Sequence, residues 1–366
     1  MVSRPETGTD VTDVVRLAWP DVGEEELAEI REVLESGQLT MGEKVAEFEA
    51  LLAAAAGTEH AVAVSSGTAA LHVAVLALGI GPGDEVLVPA YTFPATANVV
   101  ALAGAKPVLV DVDSVTMNLD PADAARRVTG RTKAILAVDL FGRPARMEEL
   151  PELTLLEDAA GALGATHRGS PCGSLGKLAC FSFHPRKIVT TGEGGAVTTD
   201  DGELAERARS LRHHGWLPSA SYDDMPHPGF NYRLSDVLCA LGIPQLRRLE
   251  ELLVAHERIA AGYAERLSGL DVVLPEADPG DRHGWQAYVI QVDRRDEVMA
   301  GLRAQGIQCQ IGTYALHRLG AYRDQGPFPG ADAVYERALA LPFHTRLTEA
   351  ELERVAQALD KLVSYH

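Results

Sequence analysis

Short apolar runs alternate with helical stretches along the middle of the chain, and this alternation limits the possible folds more than any other feature. The runs are AVAV at residue 61, EVLV at 85, PVLV at 107, AILAV at 134, TLLE at 154, ACFSF at 179 and GAVTTD at 195. Apolar runs without polar alternation are typical of strands that are buried on both faces. The sequence therefore predicts an α/β protein with a mostly parallel, seven-stranded sheet covered by helices on both sides.

A long helical region follows these strands, from Arg233 to about Leu267. Pro244 lies inside it. Proline has no amide hydrogen and its ring clashes with the preceding turn, so we expect a kink or a break at that residue.

The pattern changes again near Gly269, where a smaller α+β unit begins. Its last helix starts at Thr348 and Glu351, a spacing typical of a capping box. We therefore expect an N-terminal segment and a large α/β domain in residues 1–250, and a small C-terminal α+β domain in residues 251–366.

The charge balance limits the classes of partner. Lys+Arg number 33 and Asp+Glu 52, so the formal net charge is −19, which would repel a nucleic-acid backbone. No apolar run approaches the roughly 20 residues of a membrane span, and the first residues lack the apolar region of a signal peptide. The four cysteines show no ligand spacing, which is typical of reduced thiols in a cytosolic protein. We expect a cytoplasmic protein that binds no nucleic acid and no membrane.

Four motifs bring reactive or ligand-binding side chains to the edge of the predicted sheet where open α/β folds bind ligands. They are SSGTAAL at residue 65, EDAAG at 157, FSFHPRKIVTTGEGG at 181 and FNYRLSD at 230. We expect no metal here, because the adjacent His213 and His214 would point apart on a helix and no other ligands stand at a recognisable spacing.

The first two motifs favour an anion and a protonated nitrogen. Small residues before a helix let its free N–H groups and its dipole bind an anion such as phosphate, although Thr68 could also be an ordinary N-cap. In EDAAG, one of Glu157 and Asp158 must face away from the other, and a carboxylate at a strand end can bind a protonated ring nitrogen. Acidic strand ends are also common without such a role.

The third motif contains a single lysine, Lys187, five residues after Ser182. Burial lowers the pKa of a lysine, and its neutral amine then attacks aldehydes and ketones. Ser182 could donate to a phosphate of the same ligand. In isolation Lys187 could be a surface residue at a turn, but the glycines that follow it favour a closely approached backbone. In the fourth motif Asn231 and Arg233 offer donors for phosphate or sugar oxygens, although such residues also occur simply at helix starts.

Taken together and in this order, the four motifs resemble those of the DegT/DnrJ/EryC1/StrS family of pyridoxal-phosphate (PLP) sugar aminotransferases. The resemblance extends from about Ala18 to the last helix and implies the type I (aspartate aminotransferase) fold. It also implies a homodimer with shared active sites.

The resemblance assigns roles residue by residue. Lys187 would form the internal aldimine with PLP and move protons, and Asp158 would pair with the pyridine nitrogen. The other cofactor contacts it implies are Gly67, Thr68, Ala69 and Ser182 at the phosphate, Phe93 over the ring, and Asn231 from the neighbouring subunit. Candidate substrate contacts are His184, His214, Arg233, Tyr314 and His317.

One position departs from the family pattern. The family usually reads EDAAQ, whereas this chain has Gly161 in place of the glutamine, beside the cofactor. We consider two interpretations, a neutral change and a gap that admits an altered substrate or a different tilt of the ring. A few family members carry histidine in place of the lysine and dehydrate sugars, and Lys187 argues against that branch.

The resemblance implies an aminotransferase that takes an amino group, with glutamate as the expected donor, and passes it in ping-pong half-reactions to a keto-sugar. A nucleotide-linked keto-deoxyhexose is the expected acceptor. A cyclitol ketone or another carbonyl of secondary metabolism is the alternative, and a PLP-binding sensor without turnover is a remote one.

Overall fold

A computed structural model describes residues 14–216 and 225–364 of the chain. The helices are α1 Glu24–Ser36, α2 Glu43–Ala56, α3 Gly67–Ala77, α4 Ala95–Leu102, α5 Pro121–Arg127, α6 Gly202–Arg212, α7 Asp236–Arg247, α8 Leu249–Leu267, α9 Arg295–Ala304, α10 Pro329–Arg337 and α11 Glu349–Val363. The strands are β1 His60–Val64, β2 Glu85–Pro89, β3 Tyr91–Thr92, β4 Lys106–Val110, β5 Thr132–Val138, β6 Thr154–Asp158, β7 Thr166–His167, β8 Ser170–Pro171, β9 Leu178–Ser182, β10 Gly195–Thr199, β11 Tyr288–Gln291, β12 Gln310–Ile311, β13 Tyr314–Ala315 and β14 Ala338–Leu341.

The seven apolar runs form one seven-stranded sheet in the order β1-β10-β9-β6-β5-β2-β4. Strands β9, β6, β5, β2 and β4 pair in parallel, and β10 runs antiparallel to both of its neighbours. The predicted mostly parallel sheet is confirmed. Its parallel strands all end at the same edge, which brings the residues after β5, β6 and β9 close together.

Both faces of this sheet are buried, as the apolar runs predict. In β1, Val62 and Val64 pack in a core with α3 and α4, whereas Ala61 and Ala63 pack on the opposite face with α2 and α7. A strand that contributes alternate residues to two cores must be apolar throughout, which is why polar alternation is missing from its sequence.

A third core lies around the three-stranded sheet β11-β14-β12 and helices α8, α9 and α11. Helix α8 joins two cores, because Leu252 packs with α2 and α7 and Tyr263 packs with the small sheet. Val15 pairs with Ile307 and belongs to the third core as well. A domain boundary at residue 250 stays a prediction.

The structure places the break in the long helical region after Pro244 rather than at it. Helix α7 contains Pro244, and α8 begins at Leu249 after the non-helical Arg248. The Arg248 amide still donates to the Pro244 carbonyl, at 3.1 Å, so the break is displaced by one turn. At the other end of the chain the capping box at Thr348 and Glu351 is confirmed.

Two further expectations concern the cysteines and the membrane. All four cysteines are free and buried. Among the described residues there is no helix whose length and apolar character would allow it to cross a bilayer.

The start of α3 depends on two glycines that allow close backbone contact. A Cβ atom at Gly67 would lie 2.7 Å from the Ser182 Cβ, and one at Gly195 would lie 2.6 Å from the Gly67 nitrogen. Such distances are not tolerated between real atoms, so larger residues would push α3 away from the ends of β9 and β10.

We therefore expect Gly195→Ala to destabilise the protein by about 1–3 kcal/mol, because the methyl group overpacks the backbone of residues 66–67. Gly130→Ala is the matched control, since nothing lies within 4 Å of its Cβ position. Urea unfolding of both variants measures the difference. Equal midpoints for the two would show that α3 tolerates displacement.

Candidate active site

A cavity of about 390 Å³ opens where β5, β6 and β9 end. Nine of the residues singled out in the sequence line it, and they come from segments far apart in the chain. They are Gly67, Thr68, Phe93, Asp158, Gly161, Ser182, His184, Lys187 and Tyr314.

One end of the cavity is built to bind an anion. Helix α3 begins at Gly67 and its N-cap is Ser66, whose Oγ accepts the Ala69 amide at 3.0 Å, so the alternative of a cap at Thr68 is wrong. Within the described chain, the amides of Gly67 and Thr68 donate to no protein acceptor. The Ser182 Oγ lies 3.1 Å from the position of a Gly67 Cβ. Two free amides at a helix start, with adjacent hydroxyl groups, form an anion site.

Asp158 lies deep in the cavity at the end of β6 and is 5% exposed. Thr96 Oγ1 donates to its Oδ2 at 3.0 Å and the Ala160 amide to its Oδ1 at 3.2 Å. Burial raises the pKa of this carboxyl group, and the Thr96 hydrogen bond, the Ala160 amide and the charge of Lys187 oppose that rise. A cationic N–H group placed in the cavity would therefore be strongly attracted to it.

Glu157 faces away from Asp158, as the strand geometry predicts. Its carboxylate accepts the backbone amides of Gly173, Leu175 and Gly176 on the other side of the sheet. Asp158 is thus the carboxylate of this pair that reaches the cavity.

Lys187 lies on the irregular segment after β9. Burial lowers its pKa to about 8, with a smaller decrease from Arg186, while the carboxylate of Asp158 raises it. At pH 7 about a tenth of such amines are neutral, several hundred times more than for an ordinary lysine. Lys187 is therefore poised to act as a nucleophile and as a base.

An aromatic pair stands at the mouth of the cavity. Phe93 is 60% exposed and its ring centroid lies 6.2 Å from that of Tyr314. The two residues are brought together by the pairing of β3 with β13. An exposed ring beside a cavity is available to cover a planar ligand.

Gly161 lies on the cavity wall beside Gln286. A Cβ atom there would lie 3.4 Å from Oε1 and 3.5 Å from Cβ of Gln286, whose side chain lines the cavity. The interpretation of Gly161 as added room for a substrate overlooked this glutamine, because Gln286 is distant in sequence and its motif, WQAYVI, gives no sign of cavity contact.

The remaining predicted residues lie outside this cavity wall. Asn231 is exposed and pairs with His213, which also contacts Arg233 Nη1 at 2.8 Å. The His214 amide donates to the Phe230 carbonyl.

His317 and Ala69 are also engaged elsewhere. His317 Nε2 lies 3.0 Å from Asp332 Oδ1, and the Ala69 amide is taken by the Ser66 cap. The assigned roles of all five residues outside the wall stay predictions.

Two further cavity residues were missed by the sequence reasoning. Thr96, in the PATAN stretch after Phe93, hydrogen-bonds Asp158. Arg186, beside Lys187, places a half-buried guanidinium group on the wall. Nothing in the sequence around Thr96 indicates a cavity contact, whereas Arg186 could have been recognised as a charged residue next to a reactive lysine.

The donor set fits pyridoxal phosphate. Free amides and hydroxyl groups at the start of α3 suit its phosphate, Asp158 suits its ring nitrogen, and the neutral amine of Lys187 suits its aldehyde. The fold and the site together define a PLP-dependent enzyme of the type I fold.

The chain belongs to the DegT/DnrJ/EryC1/StrS aminotransferase family, whose sequence model matches residues 20–360. It is 42% identical over 339 residues to the GDP-perosamine synthase of Caulobacter vibrioides, covering 88% of this chain and 91% of that protein.

Solved structures agree with this assignment. Spr1654 from Streptococcus pneumoniae in its PMP-form superposes with a TM-score of 0.92 at 29% identity, covering 96% of this chain and 98% of the other. The same protein is known in a PLP-form. DesI, solved in the presence of its TDP-sugar product, gives a TM-score of 0.90 at 34% identity and covers 96% of this chain and 94% of the other. The protein is a PLP-dependent aminotransferase.

We expect Asp158→Asn to lower the pKa of Lys187 below about 8, because the negative charge that stabilises the ammonium form is removed. The pH dependence of Lys187 acetylation in the cofactor-free protein, followed by peptide mass spectrometry, measures this shift. Asp271→Asn, an exposed position, is the control. An unchanged Lys187 titration in Asp158→Asn would contradict the described coupling.

Proposed function

We propose that the protein transfers the amino group of glutamate to a nucleotide-linked keto-deoxyhexose. The observation that carries this proposal is the convergence of Lys187, Asp158 and the free amides of α3 on one cavity. The sugar class is supported by relatives, since a GDP-perosamine synthase and a protein with a TDP-sugar product match most of the chain.

Each residue has a defined task in this proposal. The Gly67 and Thr68 amides and the Ser182 hydroxyl bind the cofactor phosphate, and Asp158 keeps the ring nitrogen protonated. Bound PLP supplies the carbonyl group that exchanges with the amine and the ring that accepts electrons. Lys187 Nζ removes a proton from the substrate carbon that carries the amino group, and it returns a proton to the carbon of the ketone acceptor.

One charged group on the cavity wall, the guanidinium group of Arg186, can bind an anionic substrate group. Arg186 makes no ion pair with any described residue, although the chain has a net charge of −19. An unpaired guanidinium group can bind a carboxylate or a diphosphate. Glutamate and a nucleotide-linked sugar each carry one of these groups.

A cyclitol ketone as acceptor was suggested by the supposed gap at Gly161. Gln286 lies in contact with the Gly161 position, and no observation on the described residues favours the cyclitol over the keto-sugar. A PLP-binding sensor without turnover is not supported, because the chain has the full set of groups for the reaction and belongs to an aminotransferase family.

We expect the purified enzyme, given PLP, glutamate and a panel of GDP-, TDP- and UDP-linked keto-sugars, to convert one class of them to the amino sugar. Mass spectrometry detects the exchange of the keto oxygen for an amino group. Lys187→Ala should form no product, because the nucleophile and proton carrier is lost, whereas Lys361→Ala, an exposed position on α11, should behave like the parent. Full turnover by Lys187→Ala would overturn the proposal.

The homodimer with shared sites is part of the proposal, as is a cytoplasmic location. The segment that carries Asn231 includes two exposed apolar side chains, Met225 at 51% and Phe230 at 36% exposure. Such a surface suits a second copy of the chain.

Mixing two inactive variants tests the shared site. Lys187→Ala and Asn231→Ala are each expected to lose most activity as pure dimers. After co-expression, mixed dimers should regain up to about half of the parental activity per dimer, because one of their two sites then has both residues intact. If the mixed dimers stay inactive while each pure dimer is folded and inactive, Asn231 acts within its own subunit; a fully active pure Asn231→Ala dimer would show that Asn231 is not needed.

A further inference from the structure

Lys187 lies in a turn, residues 184–187, that makes few hydrogen bonds to other parts of the described chain. Within residues 184–187, the Lys187 amide donates to the His184 carbonyl at 2.8 Å, and the Arg186 amide donates to His184 Nδ1 at 3.3 Å. The His184 amide contacts Ser182 Oγ, at the end of the preceding strand, at 3.5 Å. All three contacts are local and none fixes the turn relative to another element.

Gln286 connects this turn to another part of the fold by a hydrogen bond. Its Nε2 donates to the Arg186 carbonyl at 3.1 Å. Among the hydrogen bonds of the described chain, this is the one that joins residues 184–187 to a different part of the fold. The Arg186 carbonyl belongs to the peptide group that leads directly into Lys187.

Gln286 itself is held by rigid backbone contacts. Its amide donates to the Phe141 carbonyl at 3.1 Å, and the neighbouring Gly284 amide donates to the Gly142 carbonyl at 2.7 Å. Gly142 has a φ of +97°, and a Cβ there would lie 2.8 Å from the Trp285 nitrogen. These contacts hold residues 284–286, which lie just before β11, against the turn that follows β5.

The side chain of Gln286 also lies against Gly161, with Oε1 3.4 Å from the Cβ position of that glycine. A single methyl group at residue 161 would fit at that distance. A longer side chain would meet Gln286 and displace it from the Arg186 carbonyl.

We propose that Gln286 is a positioning residue for Lys187, which fixes the turn that carries the lysine through the Arg186 carbonyl and occupies the space beside Gly161. This inference rests on the proposed role of Lys187. It makes the segment that leads into the small sheet part of the active site.

The central test is Gln286→Met, which keeps the length of the side chain and removes the hydrogen-bond donor. We expect a roughly tenfold to 100-fold loss of kcat, since small misplacements of a reacting group cost about this much. The matched control is Gln305→Met, because Gln305 also donates to a backbone carbonyl, that of Gly301 at 3.2 Å, but on the exposed end of α9. Thermal unfolding and circular dichroism confirm that both variants fold.

A second readout is independent of turnover. In the cofactor-free protein, a loosened turn lets water reach Lys187, so its acetylation midpoint should rise from about 8 toward the ordinary lysine value in Gln286→Met and not in Gln305→Met. The charged groups that share the cavity with Lys187 are Asp158, Arg186, His184, Glu193 and the buried Asp139, and all of them remain in both variants.

The shared space is tested by Gly161→Gln alone and combined with Gln286→Ala. We expect Gly161→Gln to lose activity and Gln286→Ala to remove most of that additional loss, so the two effects are not additive. Independent, additive losses would show that the two positions do not compete for one space.

The possible failures can be told apart. If Lys187→Ala is inactive but Gln286→Met matches Gln305→Met in both kcat and acetylation midpoint, the positioning role is wrong and the proposed function stands. If Lys187→Ala is active, the proposed function itself fails.

Discussion

The site depends on the burial of two opposite charges in one cavity. Burial raises the pKa of Asp158 and lowers that of Lys187, and each charge opposes the shift of the other. The desolvation of a charge is costly without a partner, so each of the two ions stabilises the other in the cavity. The parallel sheet makes the arrangement possible, because it ends β6 and β9 side by side and so brings their following residues together.

The second requirement of the site is close backbone packing at the end of the cavity that can bind an anion. Gly67 and Gly195 let the start of α3 approach the ends of β9 and β10, where Ser182 lies. The Ser66 cap uses the Ala69 amide and leaves the first two amides of the helix free for an anion. The anion site is thus a consequence of how the helix is capped and packed.

Much of this could be predicted from the sequence. Strands buried on both faces have a clear apolar signature, and their order along the chain places Asp158 and Lys187 at the same edge. A cap at Thr68 was one alternative, and the observed cap lies two positions earlier, at Ser66; serine and threonine are both good caps, so the run Ser65 to Thr68 offers several candidates. The helix break predicted at Pro244 lies one turn before the observed break. A proline can remain in a helix when the neighbouring residues keep their backbone hydrogen bonds.

Gln286 shows what the sequence could not provide. Its contacts with Gly161 and the Arg186 carbonyl come from the docking of the segment before β11 against the turn after β5. No local periodicity encodes such a long-range contact. An opening was one of the two interpretations of the departure from the family pattern at Gly161, and the structure places Gln286, a residue from elsewhere in the chain, in contact with that position.

The most direct measurement is reductive trapping of the cofactor. The protein is incubated with PLP, reduced with borohydride, digested and mapped by peptide mass spectrometry. We expect one modified lysine, Lys187, and a strongly reduced yield of modification in Asp158→Asn. A cofactor adduct on a different lysine, or the absence of an adduct in protein that binds PLP, would contradict it.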